Sequence, residues 1–283
     1  MPEPAWPATA RDGAPELNRG TPMADADPDS LPIEDYLAQG GVLTAPGNAP
    51  ARYRAELMRL MASFVDSELA GSAGFADTIN DAPGIKERIA ASRIVLEKTD
   101  HAGRVLEVMA SFGADAGRYA VHYPWAARLP RDADIGATRH GGDRRLSVLH
   151  YPLEGWIDAV AMNALMGRAV ALQLKELEKV SYQPLAEVFR TITPREVRHA
   201  ELGMEGLRRV VETAEGRTRA QAAIAYWRPR VAASFGLSGS GRYEMLARLG
   251  LRHTPNETLL AAWQSTIGSE LATLGLAEKG TAQ

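Results

Sequence analysis

The chain has 283 residues, a net charge of −3 and an ordinary balance of 45% hydrophobic and 24% charged residues. That length builds one sizeable core, and that charge excludes a nucleic-acid footprint or a polybasic membrane patch. The absence of cysteine excludes disulfides, thiolate metal sites and iron–sulfur clusters, and it fits a cytoplasmic location.

Residues 1–48 are rich in Pro, Ala, Gly and Asp, which predicts a mostly disordered acidic leader with a short helix near Ile33–Ala38. No basic, then apolar, signal segment opens the chain. From Ala51 a helical pattern begins, with Leu57, Leu60, Met61, Phe64 and Glu68 at three- and four-residue steps. Asn80–Gly84 reads as a turn. A second helix is predicted from about Pro83 to Phe112, stopped by Gly113. Residues 114–150 form a long excursion broken by Pro124 and Pro130, of a length that in compact domains is usually functional or flexible. A third helix is expected from Leu153 to Lys179 and a fourth from Pro184 to Glu215. Shorter helices follow near 218–234, 241–249 and 256–274. The third helix carries Asp158 and Arg168 and is read as too interrupted to span a bilayer. Strand-period alternation is missing, so the class is all-α. The domain runs over 49–277, with a tail at 278–283.

Two segments carry the chemistry. Glu196-Val197-Arg198-His199 sits on the fourth helix, and Lys98-Thr99-Asp100-His101 on the second. Each follows a helix with one carboxylate on its apolar stripe, Glu68 before the first and Asp158 before the second. That order matches the ligands of a four-helix, carboxylate-bridged di-metal site, except that lysine stands where one glutamate belongs. At about 100° per residue, His101 shares a stripe with Ile94, Val105, Val108 and Phe112, and Glu97 and Lys98 fall on its opposite edges. Asp158 lines up with Met162, Leu165, Ala169 and Leu172. Glu196 and His199 share a face with Leu185, Phe189, Ile192 and Leu202. Buried carboxylates need a positive partner, which is either metal or Lys98.

Blander readings stand beside this one. Thr193-Pro194-Arg195-Glu196 is also a capping box with Pro at the first helical position, as is Thr254-Pro255-Asn256-Glu257, where capping is the expectation. His122, His140, His150 and His253 read as surface residues. Arg131, Arg139, Arg144 and Arg145 form a loop cluster that could meet phosphates but reads as solvated.

Over about residues 50–277 the chain resembles the phenylacetyl-CoA epoxidase family of ferritin-like bacterial ring oxygenases, on the side of its catalytic subunits. The residues that carry the resemblance are Ser67-Glu68, His150-Tyr151-Pro152, Trp156-Ile157-Asp158, Ser181-Tyr182-Gln183-Pro184 and Glu196-Val197-Arg198-His199. Trp227-Arg228-Pro229, Phe235-Gly236, Asn256-Glu257 and Leu274-Gly275-Leu276 complete them. The resemblance implies a ferritin-like four-helix bundle with additional C-terminal helices. It implies two iron ions, with manganese as an alternative metal, held by residues at the positions of Glu68, Lys98, His101, Asp158, Glu196 and His199. It also implies oxygen insertion into the ring of an aromatic acyl-CoA during aromatic acid catabolism. A scaffold subunit and a separate reductase are the implied partners, with a homodimer as the alternative and no nucleic acid or membrane.

Lys98 leaves three readings open. Glu97 replaces the missing ligand, one turn from His101, and metal binds. Or Lys98 sits among Glu68, Asp158 and Glu196 as a buried cation, and the chain is a metal-free structural subunit. Or Lys98 is neutral and serves as a ligand or reactive amine. Simple iron binding or storage is the remaining function class.

Overall fold

The computed structural model describes residues 33–122, 124–138 and 142–276. The residues it describes form helices α1 (Ile33–Ala38), α2 (Ala51–Thr78), α3 (Ile85–Ser111), α4 (Ala116–His122), α5 (Trp156–Leu177), α6 (Gln183–Val210), α7 (Ala214–Ala233), α8 (Gly241–Arg248) and α9 (Asn256–Thr273). The class is all-α, consistent with a ferritin-like bundle. α2 and α3 make one antiparallel hairpin and α5 and α6 another. α3 packs on α6, and α7 and α9 cover α5. One apolar core centres on α5, α6, α7 and α9, with Trp227 and Trp263 fully buried. The other lies between α2, α3 and the start of α6 around Tyr53, Leu57, Met61 and Phe189.

Four expectations need correction. The fourth helix stops at Val210 rather than near Glu215, because Thr213 caps a new helix by accepting the Gly216 N–H at 3.0 Å. Thr193 is not a cap: α6 passes straight through Pro194, and the Thr193 hydroxyl donates to the Phe189 carbonyl at 2.9 Å, as a helix-interior threonine does. Thr254 does not cap α9 with its side chain. Its hydroxyl and N–H both donate to the buried Glu176 carboxylate, at 2.8 Å each. α5, at 22 residues, is long and apolar enough to cross a membrane by length and composition alone. The bundle buries 72% of that stretch.

Residues 33–48, expected within the leader, hold α1 and a docked segment. The Leu43 N–H donates to the Ser181 carbonyl, and Gln183 N–H to the Leu43 carbonyl, each at 2.8 Å. Ser181 is a hub, for its hydroxyl meets Tyr53 Oη at 2.8 Å and donates to the Leu249 carbonyl at 2.7 Å. Its N–H donates to the Gly250 carbonyl. Residues 1–32 and the tail lie outside the described residues.

The excursion is organised from inside. Arg145 is 2% exposed and gathers Asp143 with the carbonyls of Pro124, Trp125 and Ala127. Asp66 on α2 accepts from Tyr119 Oη at 2.6 Å and Arg144 N at 2.5 Å. The expectation that the loop arginines are solvated therefore fails for Arg145, and also for Arg131, which is partly buried and pairs with Asp158. Arg139 and His140 fall outside the described residues, and the side chain of His122 is not described. His253 is exposed, as expected. His150 is buried in the short turn Ser147–His150, not at the surface.

The α5–α6 hairpin is held close by glycine. A Cβ on Gly203 would lie 2.7 Å from the Ala164 nitrogen, and one on Gly167 2.8 Å from Ala200 Cα. Gly203→Ala should lower stability by about 1–3 kcal/mol in urea unfolding, because backbone cannot yield as a side chain does. Gly103→Ala on α3, where nothing lies within 4 Å of the added carbon, should raise it by about 0.4–1 kcal/mol.

Candidate metal centre

Glu68 on α2, Lys98 and His101 on α3, and Glu196 and His199 on α6 meet in the bundle interior, all buried. The apolar stripes place them there: each sits one helical step from core residues of its own helix. Lys98 Nζ donates to Glu68 Oε1 at 3.1 Å and to Glu196 Oε1 and Oε2 at 3.0 and 3.1 Å. His101 Nδ1 meets Glu68 Oε2 at 3.2 Å and Glu196 Oε1 at 3.0 Å, and its buried Nε2 has no hydrogen-bond partner among the described residues. His199 Nδ1 reaches Glu196 Oε1 at 3.1 Å. The two imidazoles stack with centroids 5.9 Å apart.

The electrostatics follow the contacts. Burial would lower the Lys98 pKa, but the Glu196 and Glu68 carboxylates outweigh it and raise it, so the ammonium stays charged. Burial would raise Glu196, but Lys98, His101 and His199 hold it well below the usual carboxylate range. His101 is raised: burial opposes its charge, and Glu196 and Glu68 favour it. Without metal, these contacts make Lys98 a charged donor to both carboxylates rather than a neutral amine.

Glu97 does not join the cluster. Its Oε2 binds His199 Nε2 at 2.6 Å, on the ring edge turned away from Glu196. It orients the imidazole from outside the cluster instead of replacing a ligand.

Asp158 is also elsewhere. It is buried, but Arg131 grips it with two bonds at 2.8 and 2.7 Å, and Trp227 Nε1 donates to it at 2.9 Å. The Glu154 N–H adds a fourth bond at 3.0 Å. Arg131 in turn lies 3.8 Å from the centre of the Tyr226 ring. The stripe gave Asp158 the right face and the wrong level. In the antiparallel hairpin Gly167 faces Ala200 and the Asn163 amide donates to the His199 carbonyl at 3.0 Å. Asp158 lies nine residues from Gly167, about 13 Å along the axis. At the height of Glu196, α5 offers Asn163, Gly167 and Val170. Asn163 and Gly167 were missed from sequence; counting residues outward from the Tyr182 turn would have found them.

Donor atoms of Glu68, His101 and Glu196 lie within 4.8 Å of one another, so this trio can hold one metal ion. The residues present do not fit two iron ions. α5 supplies no carboxylate at that level, Glu97 and Asp158 are engaged elsewhere, and the charged Lys98 sits on the oxygens a bridging pair would use.

The family model described as phenylacetic acid catabolic protein matches residues 41–281 of the chain. A comparison with curated proteins finds no match.

Proposed function

The chain belongs to the phenylacetic acid catabolic protein family, and from that premise we propose that it is a structural, non-catalytic subunit of an oxygenase complex in aromatic acid catabolism. One observation carries this reading: the Lys98 ammonium bridges Glu68 and Glu196, the two carboxylates a bridged metal pair would need. A lysine has only N–H to offer and neutralises the carboxylates without redox chemistry. The oxygen chemistry, on an aromatic acyl-CoA, belongs to a partner subunit that keeps its metal ligands and draws electrons from a separate reductase. A cytoplasmic location goes with this role.

In this role the chain's own residues hold a fold. Lys98 ties α3 to α2 and α6 at the bundle centre, and Glu97 with His199 ties α3 to α6 again. Those ties keep the outer helix faces rigid enough to seat a partner.

The test is iron content after anaerobic ferrous loading. Wild-type protein should retain only substoichiometric iron, whereas Lys98→Glu, which adds a carboxylate in place of the cation, should retain at least one ion per chain. Stoichiometric iron in the wild type, with oxygen consumption on addition of a reductant, would overturn the proposal. The compact Glu68, His101 and Glu196 trio favours a one-ion site as the second reading, and that outcome would support it.

A further inference from the structure

α2 and α5 barely touch, and the slot between them is a cavity of about 320 Å³. Its middle is apolar, with Leu60 and Phe64 from α2 and Met166, Val170, Leu174 and Leu177 from α5, and charged side chains stand at both ends. An apolar stretch with polar groups placed at its ends is the usual form of a small-molecule site. The polar groups here differ in how far they are satisfied. At the inner end Lys98 is matched by Glu68 and Glu196. At the outer end Arg59 and Arg242 both pair with Glu56.

Arg252 is the exception. It lines the outer end, its Nη2 donates to the neutral Asn256 Oδ1 at 2.9 Å, and its buried Nε has no hydrogen-bond partner among the described residues. The nearby Glu176 is already held by Thr254 and by His253 N–H. A half-buried guanidinium with an unused donor is costly unless an anion completes it. Arg59 and Arg242 share the one Glu56 carboxylate, and the charge left over lies on side chains about half exposed to solvent. Among the described residues, the one buried guanidinium donor of the slot left without an acceptor is therefore Arg252 Nε, and it calls for one negative charge.

We propose that this slot binds an amphipathic monocarboxylate, its carboxylate on Arg252 Nε and its apolar body between Phe64 of α2 and Met166 and Val170 of α5. The site does not depend on how Lys98 is read, and it gives the chain a small-molecule ligand without any chemistry on it.

The probe is decanoate, followed by isothermal titration calorimetry on the full chain, with decan-1-ol as its uncharged counterpart. Decanoate should bind at least tenfold more tightly than the alcohol, as expected for one charge-assisted hydrogen bond. Arg252→Gln should weaken decanoate by roughly tenfold and leave the alcohol unchanged. Val170→Phe should weaken both by filling the slot; Met166→Phe replaces it if its melting curve shows unfolding. Equal binding of acid and alcohol, an unchanged affinity in Arg252→Gln, or no heat up to the solubility limit would overturn the proposal. Tighter binding of decanoyl-CoA than of decanoate would overturn the single-charge assignment. Running the same titration on Lys98→Glu separates this outcome from the iron test, because Lys98 lies at the inner end of the slot while the ligand's contacts are to Arg252, Phe64, Met166 and Val170. Decanoate affinity should be unchanged there, and a large change would overturn this placement.

Discussion

Lys98→Ala should destabilise the protein by about 3–5 kcal/mol, the usual cost of breaking a buried ion pair on one side. Three hydrogen bonds from Nζ disappear, and Glu68 and Glu196 are left facing each other in a bundle interior where each is under 5% exposed. Urea unfolding checks the size. The pH dependence checks the cause. In the wild type Glu196 has a folded pKa held low, so its contribution is whole above the unfolded value of about 4.3 and fades as pH falls through the folded value. Lys98 is raised, so its contribution is whole below about 10.4 and is lost only as pH rises through the folded value. The gap between wild type and Lys98→Ala should therefore be widest near neutrality and narrow in acid, where the variant's carboxylates take up protons. A second change, Glu68→Gln, should recover part of the loss by removing one of the stranded charges. A gap that stayed constant into acid would mean lost packing, not lost charge.

Arg145→Ala should cost a similar amount, about 3–5 kcal/mol, far more than a loop arginine usually carries. Its Nε donates to Asp143 Oδ1 and Oδ2 at 3.0 and 2.9 Å, and its terminal nitrogens reach the carbonyls of Trp125, Ala127 and Pro124 at 2.9, 3.1 and 3.1 Å. Removing it buries a carboxylate and three carbonyls without these partners. Asp143 is sensitive to acid for the same reason. Burial would raise it, but Arg145 holds it low, so its support is whole above about 3.9 and falls away as pH drops through the folded value. Limited proteolysis should cut the variant within 124–127 well before wild type, since the damage is local to that segment. Unchanged cleavage would show that the segment is fixed by other contacts.

Much of the site was legible because helical spacing carries direction. Glu68, His101, Glu196 and His199 converge as their stripes demand, and Lys98 points inward with them. Height along a bundle is not carried by a stripe, which is why Asp158 looked like a ligand and instead anchors Arg131 and Trp227 at the first turn of α5. Glu97 and Lys98 were symmetric about the stripe, and only the position of α6 decides which edge faces the carboxylates. Thr193 and Thr254 carried the same capping pattern, and tertiary contacts overrode both: one lies inside a continuous helix, the other binds Glu176. Arg145 had no periodicity to mark it, because a loop arginine is buried by carbonyls contributed by distant turns.

The Ser181 hub bears on how the chain is made. It joins Leu43 and Tyr53 to Leu249 and Gly250, residues that are made about two hundred positions later. The α2–α3 hairpin can form early from its own neighbours, yet its N-terminal end has nothing to fasten to until the α5–α6 turn has been synthesised. Until then the apolar surface around Tyr53 and Leu57 stays uncovered, which is the condition in which nascent chains recruit chaperones. Fastening of the hairpin's N-terminal end therefore waits for residues 181–183, and a ribosome stalled before residue 181 would display an open hairpin.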